Sequence, residues 1–411
     1  MPKEFRIGIL GCGHRMTGVV GRTCLADPRI RVAAVHDPFA RDFTHMRETL
    51  EARGLPSDFR VVDDAEELAR SADVDWVFIG SINRYHKDHI LAACRADKPV
   101  FCEKPLVINM AEALEVKRAV ENHRRMFSVG FVLRYSPFYR RVKALLDQGV
   151  VGDIVSFEFN ETLGTGHGGM IMGNWRRLRE NAGTHLLEKC CHDFDIAHWF
   201  TGALPVRAAS FGGLDFYKPE NARHIERIGP SETGILPYHD NKFTLRNAPF
   251  EEAQANPFTA EKDILDNQVV ILEYGNGVRA TFHTNCNAAL PERRFYINGT
   301  EGTLRGEVLE GVIEWRRIGW NPAVQRERSS HGGHGGGDDI LGTSIARSIT
   351  EGAPPDASLY EGLTSAVACF GVDQAQDRRE ITDLPPLWEQ VGIDPSEFRA
   401  PPATDPAVCG K

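Results

Sequence analysis

The sequence predicts an α/β protein of two domains, the first a doubly wound parallel sheet of nucleotide-binding type and the second built on a largely antiparallel sheet. Three observations carry this prediction. The 411 residues exceed what a single hydrophobic core holds. Apolar strands and helices alternate through the first third of the chain, which opens on a glycine turn. Beyond residue 150 the strands change to alternating apolar and polar residues joined by short turns.

Phe5–Leu10 is an apolar run suited to a buried parallel strand, followed at once by Gly11-Cys12-Gly13-His14-Arg15-Met16 and the helix-like Thr17–Ala26. In such a strand–turn–helix unit Gly11 allows the tight turn and Gly13 lets the backbone approach a pyrophosphate, whose charge meets the free N–H groups of the helix N-terminus. Met16 stands where a third glycine is usual, so either the helix packs differently on the strand or the turn runs on to Gly18. The second strand, Val32–His36, ends in Asp37, where a carboxylate can take both hydroxyls of an adenosine ribose and repel a 2′-phosphate. NAD is therefore expected rather than NADP.

The alternation continues with a short helix opening at Asp63–Leu68, a strand over Val74–Gly80, a helix over Lys87–Arg95 and a strand over Pro99–Cys102. Next comes Glu103-Lys104-Pro105, which places an amine at the rim of the sheet, where α/β folds bind ligands. A helix over Ala111–Arg124 and a strand over Met126–Val132 complete the domain. The second half carries strands at Asp153–Asn160, Val269–Tyr274, Val278–Thr284 and Arg294–Ile297, with Tyr274-Gly275-Asn276-Gly277 as hairpin chemistry. The polar segment from Leu214 to Lys262 reads as a long insertion or lid.

Residues 181–195 read as a turn feeding a helix in which Glu188, His192 and Asp195 share one face. A histidine held by a carboxylate one turn away suits general-base work. His331–Gly337 is glycine-rich and precedes a helix over Ile340–Thr350. It reads either as a flexible loop, with Asp338 or Asp339 capping that helix, or as a loop carrying His331 or His334 over the active site. No metal site is expected, since further ligands at a helpful spacing are missing and Cys190 and Cys191 point to different sides of their helix.

The net charge of −9 supplies no basic field for nucleic acid. Met1 leads directly into the first strand, without a signal peptide or an apolar run of membrane-spanning length, so a soluble cytoplasmic location is expected. Nine scattered cysteines fit reduced thiols.

Gly11-Cys12-Gly13, the run ending in His86, Glu103-Lys104-Pro105, Gly130-Phe131-Val132-Leu133-Arg134-Tyr135 and the His192-Asp193-Phe194-Asp195 helix together resemble the glucose-fructose oxidoreductase and inositol dehydrogenase family, Gfo/Idh/MocA. The resemblance covers nearly the whole chain. It implies a Rossmann domain over residues 1–133 and an α/β domain with an open, mainly antiparallel sheet over 134–411, assembled as a homodimer or homotetramer. It implies NAD as cofactor, lined by Gly11, Gly13, His14, Arg15, Met16, Asp37, Ser81, Asn83, His86, Glu103 and Lys104. By the same resemblance Lys104 sits beside the nicotinamide and substrate, and His192 transfers the proton. The acid one turn before that histidine is usually Asp, and here it is Glu188. The activity implied is oxidation of a secondary hydroxyl of a sugar, glycoside or inositol. Arg134, Tyr135, Asn160, Trp175, Arg176 and His334 are the candidate carbohydrate contacts beside His192, and the cluster Arg176, Arg177 and Arg179 suits an anionic substituent. Some members of the family are redox-neutral glycoside hydrolases that use NAD transiently and carry similar glycine-rich histidine loops. That activity stands as the alternative, with a non-catalytic regulator as a third class.

Overall fold

The computed structural model describes residues 3–40, 42–234, 236–238, 255–332 and 334–401. The first third of the chain forms a six-stranded sheet of β1 (Phe5–Leu10), β2 (Ile30–His36), β3 (Arg60–Val61), β4 (Trp76–Ile79), β5 (Val100–Cys102) and β6 (Phe127–Val129). All neighbours run parallel in the order β3-β2-β1-β4-β5-β6. The crossover helices are α1 (His14–Ala26), α2 (Thr44–Glu51), α3 (Ala65–Arg70), α4 (His86–Arg95) and α5 (Met110–Glu121). With helices on both faces the central strands are buried on both sides, which is why Ile7, Ile9, Val77, Phe78 and Phe101 form continuous apolar runs.

The helix after the glycine turn begins at His14, three residues earlier than its pattern predicts, so the turn does not run on to Gly18. Met16 is buried, and its side chain lies so close to Gly80, at the end of β4, that a Cβ there would come within 2.6 Å of it. A glycine on the neighbouring strand thus does the work of the missing third glycine in the turn.

The rest of the chain contributes α6 (Pro137–Asp147), β7 (Ile154–Gly164), α7 (Thr165–Gly173), α8 (Arg179–Ala182), α9 (His185–Thr201), β8 (Pro205–Gly213) and α10 (Arg223–Ile228). It continues through β9 (Asn267–Tyr274), β10 (Arg279–Ala288), β11 (Arg294–Gly299), β12 (Gly302–Glu307), β13 (Val312–Arg317) and β14 (Gln325–Arg328). α11 (Gly337–Glu351), α12 (Leu359–Arg378), β15 (Thr382–Asp383) and α13 (Pro385–Gln390) complete it. Nine strands form one sheet in the order β14-β13-β12-β11-β7-β10-β9-β8-β15, antiparallel except where β7 meets β10. The expected hairpin turn joins β9 to β10 around Gly277 at φ +86°. One face of this sheet packs on α9, with Phe159, Phe194 and Phe282 in mutual ring contact. The opposite face leaves Val155, Phe211, Val269, Ile271 and Tyr296 exposed.

The segment from Leu214 to Lys262 is more than a polar lid. Tyr217 and Phe258 are fully buried with Ile171 and Met172 in a second small core, and the Tyr217 hydroxyl donates to the carbonyls of Thr165 and Cys286 at 3.0 and 2.9 Å. Residues 239–254 of that segment lie outside the described ones. From α11 the chain returns to the parallel domain. α11 packs on α1, where a Cβ at Gly342 would come within 2.7 Å of Arg22, and the backbone of Val129 in β6 donates to Ala357. No helix among the described residues is long and apolar enough to cross a membrane, and no disulfide joins the eight described cysteines.

Gly11 has φ +90°, and a Cβ on it would lie 2.2 Å from the Ser81 nitrogen, whereas a Cβ on Gly13 meets nothing within 4 Å. Gly11→Ala is therefore expected to lower the unfolding free energy by about 2–3 kcal/mol, and Gly13→Ala to stay within about 0.5 kcal/mol of the parent, as urea unfolding of both would show.

Candidate functional site

Lys104 follows directly on β5 at the carboxyl edge of the parallel sheet, while α9 starts from the opposing domain with Glu188 in its first turn. Thr184 caps α9 by accepting from the Leu187 nitrogen at 3.2 Å. The helix is buried around almost its whole circumference, which its charged residues Glu188, Lys189, Asp193 and Asp195 tolerate because each meets an opposite charge. Its start is aimed at the lysine. Lys104 Nζ donates to the Glu188 carbonyl at 2.6 Å and lies 3.7 Å from the Glu188 carboxylate.

That carboxylate does not hold His192, as the shared helix face suggests it should. It accepts instead from Arg176 Nε at 2.8 Å. Burial pushes the Glu188 carboxyl up, but Lys104 and Arg176 outweigh burial and hold it well below the usual carboxylate range. His192 sits one turn further on, with its ring 5.7 Å from Phe131 and 6.4 Å from His334. Its Nδ1 has no hydrogen-bond partner among the described residues. Burial, then the positive charges of Lys104 and Arg293, push its pKa well below that of an ordinary imidazole, so the ring is neutral.

The glycine-rich loop brings His334 over the site, where its Nδ1 meets Asp338 at 2.8 Å. His331 is exposed. Neither Asp338 nor Asp339 caps α11, whose N-cap is Gly336. Asp338 pairs with Arg15 of the glycine turn as well as with His334, and Asp339 pairs with Arg22 at 2.7 Å. Arg15 in turn donates to Glu103 Oε1 at 2.9 Å. Gly130 makes room for that acid, since a Cβ there would lie 2.9 Å from the Glu103 carboxylate.

The residues around the glycine turn fit a dinucleotide. Space is open beside Gly13, α1 has no side chain capping its N-terminus, and the backbone of His14, Arg15 and Met16 forms that first turn. Asp37 is half-buried at the end of β2, with its carboxylate anchored by the nitrogens of Cys12 at 2.9 Å and Phe39 at 3.0 Å. Ser81 lies at the β4 edge, bonded to His89 at 3.0 Å. Asn83 and His86 have other work. The Asn83 amide donates to the Ala182 carbonyl at 3.0 Å across the domain junction, and His86 is buried with its nitrogens 2.7 and 3.1 Å from the carbonyls of Pro105 and Ser81.

Of the carbohydrate contacts expected from sequence, Trp175, Arg176 and His334 join His192 at the site. Arg134, Tyr135 and Asn160 do not. Arg134 is buried in a two-bond pair with Asp195 at 2.7 and 2.9 Å, which also removes Asp195 from the catalytic face. The Tyr135 hydroxyl is buried and accepts from the Asp356 nitrogen, and Asn160 links β7 to Glu292 and to the Arg294 nitrogen. Arg177 donates to the carbonyls of Glu261 and Asn174, and Arg179 pairs with Asp377, so neither joins Arg176 in one anion grip. The sequence reading missed Lys189, which pairs with Glu161 at 3.1 Å, and His167 of α7, which lies within electrostatic reach of Lys189, Glu161, Glu188 and Arg176. Lys189 adjoins Glu188 in sequence and was the available signal.

Residues 5–131 match the family model described as the oxidoreductase family with an NAD-binding Rossmann fold, and residues 139–305 match the GFO/IDH/MocA C-terminal domain. The chain belongs to the Gfo/Idh/MocA family. Its cofactor is NAD. Among family relatives, YteT, a Bacillus subtilis protein named as an oxidoreductase, is 25% identical over 68% of this chain and 73% of its own. The inositol 2-dehydrogenase of Gluconacetobacter diazotrophicus is 34% identical over 47% of this chain, which spans about half (53%) of that relative. Levoglucosan dehydrogenase in complex with NADH and levoglucosan shares the fold at a TM-score of 0.73 and 16% identity, covering 93% of this chain and all (100%) of that one.

For this Gfo/Idh/MocA member, the anchored Asp37 carboxylate is expected to make NAD bind at least about tenfold more tightly than NADP, a gap of about 1.4 kcal/mol. Calorimetric titration with both cofactors checks this, and Asp37→Ser should narrow the gap; equal affinity in the parent protein would remove Asp37 from the ribose.

Proposed function

We propose that the protein oxidises a secondary hydroxyl of a sugar, glycoside or inositol, with His192 accepting the hydroxyl proton and Lys104 stabilising the developing alkoxide. The observation that carries this reading is the buried, neutral His192 imidazole, with an unpartnered Nδ1, set close enough to Lys104 for that ammonium to depress its pKa. A neutral imidazole accepts a proton, and a nearby ammonium in a water-poor site favours negative charge on the substrate oxygen. NAD, when bound, supplies the acceptor for the hydride leaving the same carbon. Glu188 holds Lys104 in place through its carbonyl and carboxylate, and Arg176 fixes that carboxylate. The names of relatives support a carbohydrate-like substrate: inositol 2-dehydrogenase and levoglucosan dehydrogenase.

Lys104→Ala and His192→Ala are each expected to lower turnover at least about a hundredfold while the protein stays folded and holds NAD. Because a lowered pKa keeps the base neutral at all higher pH, the acid limb of kcat/KM should lie below the ordinary imidazole value of about 6.5. Near-normal turnover of His192→Ala, or an acid limb above that value, would contradict the assignment.

The redox-neutral reading has its own supporting observation. The His334–Asp338 pair puts a second imidazole beside His192, which suits proton traffic at a neighbouring carbon during elimination and addition of water. A relative named 2,7-anhydro-N-acetylneuraminate hydratase, from Mediterraneibacter gnavus, is 24% identical over 75% of this chain and 68% of its own. Cofactor balance separates the readings. Oxidation yields NADH in step with product, whereas the neutral cycle needs NAD yet accumulates no NADH, and aryl glycosides and free sugars assayed together with NAD would read both outcomes.

A further inference from the structure

Among the described residues, four cations on the substrate side of the site share three carboxylates. Lys104 and Arg176 both face Glu188, while Lys189 and Arg293 share Glu161 and Asp193. The second group is balanced and the first carries one positive charge in excess. On the cofactor side the imbalance reverses, because Arg15 alone meets both Glu103 and Asp338. The negative excess is carried by Glu103 and Asp338, on the parallel-domain side of the site. The positive excess is left to the substrate.

Arg176 is where this excess is accessible. Its Nε is taken by Glu188 and its guanidinium lies 4.2 Å from the Trp175 ring centre, but its two terminal nitrogens have no hydrogen-bond partner among the described residues. The side chain remains about a quarter (27%) exposed, against 8% for Glu188. Stacked on one face and tied at Nε, the fork has one open edge, and its two parallel N–H groups match a planar carboxylate. Beside it, burial and Lys189 push the His167 imidazole down to about 3, leaving a neutral ring that adds no charge to the fork's surroundings.

We propose, building on the carbohydrate reading above, that the substrate is an acidic sugar whose carboxylate docks on the terminal nitrogens of Arg176, beside Trp175 and His167. A single excess charge fits a monoanion. A phosphate dianion would bring a second charge that these residues do not balance.

The test compares a hexuronic acid with its uronamide, as free sugars and as aryl glycosides, using the NAD-loaded enzyme and its Arg176→Gln variant. Binding of the same pair to the NADH-loaded enzyme is titrated by calorimetry. The acid should be preferred at least about tenfold in both kcat/KM and affinity, the scale of one charge-assisted hydrogen bond, and Arg176→Gln should erase that preference mainly through KM. Added salt should weaken acid binding more than amide binding. Equal affinity for acid and amide, or parallel losses on both in Arg176→Gln, would overturn the proposal and leave Arg176 as a support for Glu188. Turnover of the uronamide alone would preserve the carbohydrate reading while rejecting the acid subsite. Acid-selective binding without NADH or aglycone from any sugar would uphold the subsite and reject the proposed reaction.

Discussion

The contact between Lys104 and the start of α9 organises the rest of the site. Lys104 is carried on the rim of the parallel sheet and Glu188 on a helix of the second domain, so their hydrogen bond and ion pair set the spacing between the cofactor-binding half and the substrate-binding half. Glu188 is one side chain with several duties: its carbonyl takes the lysine, and its carboxylate faces the lysine and takes Arg176. A buried carboxylate is stable in such a place only when cations surround it. His192 lies one turn along the same helix, and burial first, then that cationic surround, keeps its ring neutral.

Charge is partitioned across the cleft. The Arg15–Glu103–Asp338 group lies on the nucleotide side and the Lys104–Glu188–Arg176 group on the other, with opposite imbalances. His334 joins the two, since it is held by Asp338 and lies near His192. The glycine-rich loop that carries it therefore links the glycine turn to the catalytic helix. The return of α11 onto α1 is what brings that loop into place.

The parallel domain was legible because strands buried on both faces leave uninterrupted apolar runs, and because a glycine turn between strand and helix has few other uses. That Lys104 and the helix of Glu188 and His192 belong to one site was implied by the family resemblance of those motifs, whereas helical spacing alone gave His192 to a Glu188 carboxylate that takes Arg176 instead. The partners of those residues were not legible. Whether Arg134 reaches a sugar or a buried Asp195 depends on how deeply its short helix is packed, a tertiary fact that sequence spacing does not contain. The same holds for Asn83 and His86, whose side chains tie backbone segments together, and for Met16, whose accommodation by Gly80 is set on another strand. The Asp338 prediction went astray for a further reason. Helix-start acids serve as caps when nothing better is near, and here the glycine turn presents Arg15.

A crystal structure of the protein with NADH tests the central claim, that both domains converge on one reacting centre, most directly. The account predicts the nicotinamide seated between the Arg15–Glu103 pair and His192, with Lys104 and His192 both within reach, about 3.5 Å, of a single oxygen position over its reactive carbon. A nicotinamide bound away from Lys104, or one whose reactive carbon faces no position shared by Lys104 and His192, would contradict it.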